Sequence, residues 1–220
     1  MGDEKRRRIL DSDKKLQKIG LKHNPFHEKP LTEDEIHLVA GRKDELNELI
    51  EAIGERRNIL ITGAKGIGKT TVLSYLIANA KKENITITYL ETPPLSERRF
   101  FLNILLGMLD KKNNKIPKNY DLEKVYNRID KYKNNPAHYP SYEILEDIIH
   151  YAEKYYKRVD FPIIVFIDEF HKIMLAPGLQ GFELIIKLNQ TMFDEKFVFV
   201  CASLITQTLN RYSNPSKDSL

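Results

Sequence analysis

Cysteine is almost missing from this chain: Cys201 is the single one in 220 residues. No internal disulfide can form, and a reducing cytoplasm is the simplest setting to expect. No group of Cys and His has the spacing of a zinc site, and no Ser/His/Asp hydrolase signature occurs. No apolar run approaches the roughly 20 residues that a membrane-spanning helix needs, so no membrane partner is expected. The opening residues Met1-Gly2-Asp3-Glu4-Lys5-Arg6-Arg7-Arg8 lack a long apolar segment, which argues against a secretory leader. No internal repeat is visible. What remains is a folding composition, 41% hydrophobic and 30% charged. The length suits one α/β domain with a substantial core, and two full domains would be tight.

The net charge of +4 is small, but it is unevenly placed. Residues 1–22 carry eight Lys/Arg against four Asp/Glu, an excess equal to that of the whole chain. Residues 110–140 again carry eight Lys/Arg against four Asp/Glu, with six Asn. Both stretches suit contact with phosphate backbones. The plainer reading is a solvated tail and a solvated loop, because basic runs are not specific to nucleic acid.

The most informative segment is Gly63-Ala64-Lys65-Gly66-Ile67-Gly68-Lys69-Thr70. It reads G-x-x-x-x-G-K-[ST], the Walker A phosphate loop. Asn58-Ile59-Leu60-Ile61-Thr62 enters it as an apolar strand, and Thr71-Val72-Leu73-Ser74-Tyr75-Leu76-Ile77 leaves it with helical spacing. The motif therefore has the strand and helix that its chemistry requires. Glycines let backbone N–H groups turn onto phosphate oxygens, and the helix N-terminus adds partial positive charge. Residues 63–71 are thus expected to bind ATP. Lys69 would reach the terminal phosphates, and the Thr70 hydroxyl would ligate Mg2+. Lys65 either touches phosphate or points to solvent.

Periodicity predicts the rest. Gly41 to Gly54 reads as an amphipathic helix with Leu46, Leu49, Ile50 and Ile53 on one face. Strands are expected at 58–62, 85–90, 161–167 and 197–202. Helices are expected up to about 82, then at about 97–109 with Phe100, Phe101, Ile104, Leu105, Met108 and Leu109 on one face, at about 121–133 with Leu122, Val125, Tyr126, Ile129 and Tyr132, at about 141–157 with Ile144, Leu145, Ile148, Ile149 and Ala152, and at about 179–193 and 204–211. Residues 1–40 read as a basic tail and an irregular segment, 41–212 as the core, and 213–220 as a frayed polar end. Strands alternating with helices imply a parallel sheet with helices on both faces, an α/β fold that binds ligands at the carboxyl ends of its strands.

Ile163-Ile164-Val165-Phe166-Ile167-Asp168-Glu169 is an apolar strand ending in two acids. Downstream of a phosphate loop, this is the Walker B pattern. Asp168 would position Mg2+ through its water shell, and Glu169 would be the general base for the attacking water. Ser203 ends the next strand, either as a sensor of the terminal phosphate or as the N-cap of a helix beginning at Leu204. His171 completes Asp-Glu-Phe-His, superficially a helicase box, and reads better as a helix-start residue. Arg211 is placed either to act as an arginine finger on a neighbouring subunit or as an ordinary surface arginine.

Over residues 39–212 the chain resembles the AAA+ branch of P-loop ATPases. Val39-Ala40-Gly41-Arg42-Lys43-Asp44-Glu45-Leu46 is similar to the segment that precedes the phosphate loop in archaeal origin-recognition-type initiators and STAND-like ATPases. Asn24-Pro25-Phe26 is similar to a motif that precedes the same segment in transposition-helper and secretion-associated ATPases. The resemblance implies that Val39, Gly41 and Arg42 lie against the base, that Ser203 is a sensor and that Arg211 acts in trans, with self-association in ATP. A C-terminal lid is not seen before the sequence stops, so either the chain is part of a longer protein or the ATPase is minimal. The expected function is an ATP- and Mg2+-dependent ATPase that acts as a switch on DNA or a DNA-bound complex, with Lys5, Arg6, Arg7 and Arg8 on phosphates. The rivals are a STAND-like signalling ATPase working through protein contacts, a non-hydrolysing regulatory binder, and, last, one half of a helicase.

Overall fold

The computed structural model describes residues 41–94, 96–135, 139–175 and 196–204. Their order is α1 (Lys43–Gly54), β1 (Ile59–Gly63), α2 (Lys69–Lys82), β2 (Ile87–Leu90), α3 (Glu97–Met108), α4 (Leu122–Asn134), α5 (Ser141–Tyr156), β3 (Ile163–Ile167), α6 (His171–Leu175) and β4 (Phe197–Leu204). The strands form one sheet in the order β1-β4-β3-β2, and every pair is parallel. Parallel strands need crossovers, and the helices that make them cover the sheet.

Strand alternation decides which core each residue joins. Ile163, Val165 and Ile167 of β3, with Phe197, Phe199 and Cys201 of β4, pack with α3, α4 and α5. Ile164 and Phe166, with Val198, Val200 and Ala202, pack with α1 and α2 on the other face. All five residues of β3 are buried, as its unbroken apolar run predicted. The sheet with helices on both faces is therefore the expected α/β architecture.

The differences are local. The second strand begins at Ile87 rather than Ile85, although Thr86 O still accepts from Ile164 N–H at 3.0 Å. The fourth strand runs past Ala202 to Leu204, because Ser203 and Leu204 remain in register with Thr62 and Gly63 of β1. Ser203 is thus a strand residue and not the N-cap of a helix starting at Leu204. Of the residues assigned to the apolar face of α1, Ile50 is 42% exposed, while Leu46 and Ile53 are buried. Tyr126 of α4, assigned likewise, is 39% exposed. The helices expected at 179–193 and beyond Leu204 lie outside the described residues.

Candidate functional site

The site forms where β1 delivers its last residues into the glycine loop. Gly66 and Gly68 have φ of +82° and +94°, the left-handed region that only glycine enters without steric cost. Gly68 is also the residue from which α2 starts. A side chain at Gly63 would bring its Cβ to 2.9 Å from Ile67 Cγ2, so the loop closes tightly on itself. Ala64, Lys65, Gly66 and Ile67 are exposed on the rim. Thr71 follows in the first turn of α2, half-buried.

Lys69 bends back over the loop. Its Nζ donates to Gly63 O at 3.0 Å and to Ala64 O at 2.9 Å. The ammonium is held over the loop by two carbonyls, a position from which it can exchange them for phosphate oxygens. Next to it, Thr70 Oγ1 donates to Asp168 Oδ2 at 2.6 Å across 98 residues of chain. The end of β3 is thereby tied to the start of α2. Asp168 is only 5% exposed. Its other oxygen, Oδ1, accepts from Glu169 N–H at 2.8 Å.

Glu169 stands apart from Asp168 in backbone and in side chain. Its φ of +52° is left-handed, uncommon for a residue that is neither Gly nor Asn. Its carboxylate turns to α6, with Oε2 3.3 Å from His171 Nε2 and 3.6 Å from Lys172 Nζ. His171 does open a helix, as expected. Burial lowers the His171 pKa below its ordinary value, against the opposing pull of Glu169. The pairing of His171 and Lys172 with Glu169 was missed in the sequence; the signal available was the short Asp-Glu-Phe-His-Lys spacing.

Arg42 was assigned to the base; its guanidinium donates to Ile67 O in the phosphate loop at 2.7 Å, linking the start of α1 to the loop. Gly41, with φ of +78°, is exposed beside it. Ser203 is buried in β4 opposite Thr62 of β1, two residues past the last β4 residue in register with β3. Val39, Arg211 and Lys5, Arg6, Arg7 and Arg8 lie outside the described residues. Tyr89, on the strand beside β3, has its pKa pushed up to about 12 by burial and then by Asp168 and Glu91.

A groove of about 470 Å³ between α4 and α5, lined by residues that include Lys124, Arg128, Asp147 and His150, shares no residue with the loop. In it, the Asp147 carboxylate accepts from Arg128 at 2.8 Å and from the Tyr139 hydroxyl at 2.6 Å. These bonds tie α4 to α5 and satisfy a buried acid. They bear on folding rather than on the loop's chemistry.

A parallel sheet whose first strand feeds a glycine loop and a helix, closed by an acid from the third strand, defines a P-loop nucleoside-triphosphatase fold. A family model described as an AAA domain matches residues 50–208. The chain belongs to that family, in the AAA+ branch of the P-loop ATPases. It is 28% identical over 225 aligned residues to an uncharacterized HTH-type transcriptional regulator of Methanocaldococcus jannaschii, covering 93% of this chain and 53% of that protein. The chain thus spans about half the length of the curated relative it matches. Among solved structures, the Aeropyrum pernix ORC2 protein in ADPNP–ADP complexes matches with a TM-score of 0.50 at 14% identity, over 80% of this chain and 44% of that one. The Aeropyrum pernix ORC1 protein in complex with DNA matches with a TM-score of 0.44 at 18% identity, over 78% and 41%. At such identity the likeness to ORC2 speaks for the fold. No described helix is long and apolar enough to cross a membrane.

Proposed function

We propose that this chain binds ATP with Mg2+, hydrolyses it, and uses the cycle as a switch on DNA or a DNA-bound complex. The observation that supports the first part is the Thr70–Asp168 hydrogen bond, which joins the start of α2 to the end of β3 at the carboxyl edge of the sheet. A hydroxyl and a carboxylate are hard oxygen donors. They suit Mg2+, which keeps several waters and takes one or two protein oxygens alongside phosphate. Thr70 would ligate the ion and Asp168 would hold its water shell; the ion, when bound, supplies neutralisation of phosphate charge.

The residues then divide the work. N–H groups of residues 64–71 cradle the phosphates, and Lys69 leaves Gly63 O and Ala64 O for the terminal phosphates. Glu169 accepts a proton as water attacks the γ-phosphorus; the bond to the β–γ bridging oxygen breaks, and ADP departs with phosphate. Ser203 would sense the terminal phosphate, Arg42, Gly41 and Val39 would border the base, and Arg211 would act on a neighbouring subunit's nucleotide. The DNA part of the reading is supported by the name of the Methanocaldococcus relative, an HTH-type transcriptional regulator. It is supported as well by the basic tail, whose excess equals the net charge of the chain.

Calorimetry and hydrolysis assays test the enzyme reading. Lys69→Ala should lose ATP while keeping its far-UV circular dichroism. Glu169→Gln should keep ATP binding and lose turnover by roughly 100-fold or more, the scale of general-base catalysis. Fluorescence anisotropy with a labelled duplex at two salt concentrations tests the DNA reading. Deleting residues 1–22 should weaken binding and flatten its salt dependence. Full binding by the shortened chain would remove the tail from the argument, and no binding by the intact chain at low salt would favour a switch that works through protein contacts.

A further inference from the structure

Glu169 and His171 pair at the head of α6. His171 is 5% exposed, and its Nε2 lies 3.3 Å from Glu169 Oε2. Its other ring nitrogen, Nδ1, is buried with no hydrogen-bond partner among the described residues. A carboxylate accepts and cannot donate, so Nε2 carries the proton. Were Nδ1 protonated too, a second donor would be buried unpartnered beside the first, which is costly. The form that suits this setting is the neutral ring protonated on Nε2, 3.3 Å from one oxygen of Glu169.

The backbone supports the same pairing. The left-handed turn at Glu169 places the carboxylate over the first turn of α6, where Lys172 N–H donates to Glu169 O at 2.9 Å. Lys172 Nζ reaches the same carboxylate oxygen at 3.6 Å, but both side chains are more than 40% exposed. An exposed ion pair of this kind fixes little. The buried imidazole is the partner that can set a direction.

We infer that His171 is a positioning residue for Glu169: its Nε2–H holds the carboxylate in one orientation, so that the other oxygen is free to take the proton of the attacking water. The inference rests on the reading of Glu169 as the general base. His171 works only through Glu169.

The test uses the full chain in two measurements. Single-turnover hydrolysis of ATP is compared for parent, His171→Ala, His171→Gln and Lys172→Ala. The alanine variant should lose roughly 10- to 100-fold in rate, the scale of a misplaced catalytic group, with ATP affinity and circular dichroism unchanged. Glutamine, whose amide N–H can occupy the place of Nε2, should recover most of the loss. Lys172→Ala should change the rate less than about twofold. In a Glu169→Gln background, His171→Ala should cost nothing further. A parental rate in His171→Ala, or equal losses in the alanine and glutamine variants, overturns the inference. If Glu169→Gln itself hydrolyses at the parental rate, it is the general-base reading that falls. The second measurement is independent of turnover. Long-range proton–nitrogen NMR should show the His171 imidazole in its Nε2–H form, and Glu169→Gln should shift that resonance. An Nδ1–H ring, or a resonance indifferent to Glu169, also overturns the inference, even in a chain with no measurable hydrolysis.

Discussion

Replacing Asn114 with alanine should destabilise the fold by about 3 kcal/mol, through an edge of the sheet far from the phosphate loop in sequence. In a parallel strand, alternate residues turn both their N–H and their C=O toward the same side. Thr86 O and Leu90 O of the β2 segment face β3, so Ile87 faces outward from the sheet's edge. Asn114 meets it there. Its Oδ1 accepts from Ile87 N–H at 2.8 Å, and its Nδ2 donates to Ile87 O at 2.8 Å and to Gly107 O at 2.7 Å. The side-chain amide thus takes the place of a missing neighbour strand. Asn114 is 7% exposed, so water does not easily replace it. Three short bonds at about 1 kcal/mol each give the estimate, and orphaned backbone groups make it a lower one. For a chain of this size, the midpoint of thermal unfolding should fall by about 6–12 °C. Urea unfolding followed by circular dichroism measures the change, with Asn114→Asp as a control. That control keeps the acceptor for Ile87 N–H but sets a carboxylate oxygen against two carbonyls, and it should do no better than alanine. A loss below about 0.5 kcal/mol with an unchanged denaturant slope would show that the amide does not carry the edge.

The remaining expectations are briefer. Gly107→Ala should destabilise by about 1–2 kcal/mol, because the new Cβ would stand 2.7 Å from Thr88 Cγ2 and Oγ1, and overpacking outweighs the helix propensity gained; denaturant titration should show Thr88→Ala restoring part of the loss. Burial raises the pKa of Tyr89 and Tyr151 to about 12 from 10.0; folding therefore favours the protonated phenols, and the stability they add, complete below pH 10, should be lost between about pH 10 and 12, as read by circular dichroism beside absorbance at 295 nm. The Cys201 thiol is buried and its pKa is pushed up by burial, so a thiol reagent such as Ellman's should react with it only after denaturant is added.

The sequence carried the sheet and the loop because both have strong local signatures. The apolar run of β3 could pack only between two helical layers, and the glycine spacing of 63–70 required a turn that opens a helix. The faces of α3 and α5 were also legible: Phe100, Phe101, Ile104, Leu105, Met108 and Leu109 are all buried, as are Ile144, Leu145, Ile148 and Ala152, with Ile149 half-buried. A stripe of period 3.6 fixes a direction, not a depth, which is why Ile50 and Tyr126 remain more than a third exposed. Ser203 read as an end because it breaks an apolar run, yet β1 supplied partners that kept it in the strand. Asn114 was one of six Asn in a basic stretch, and its role depends on an edge 27 residues away. The approach of His171 to Glu169 depends on a left-handed residue that no glycine or asparagine announced.

That left-handed residue also shows how the fold sustains its site. A non-glycine held in the left-handed region costs on the order of 1 kcal/mol or more and persists only where its surroundings over-determine it. Here both flanking residues are tied to the sheet. Asp168 N–H donates to Leu90 O on β2 at 2.9 Å, and Phe170 N–H donates to Ala202 O on β4 at 2.8 Å. Phe170 is fully buried, which anchors the far side of the turn. Glu169 is therefore turned out at the end of β3 by ties to both of the strands that flank it. The same two ties hold Asp168 within reach of Thr70. Loosening β2 or β4 would release the acid, the base and the loop hydroxyl together. The edge of β2 that Asn114 completes thus belongs to the chemistry of the site as much as to the stability of the sheet.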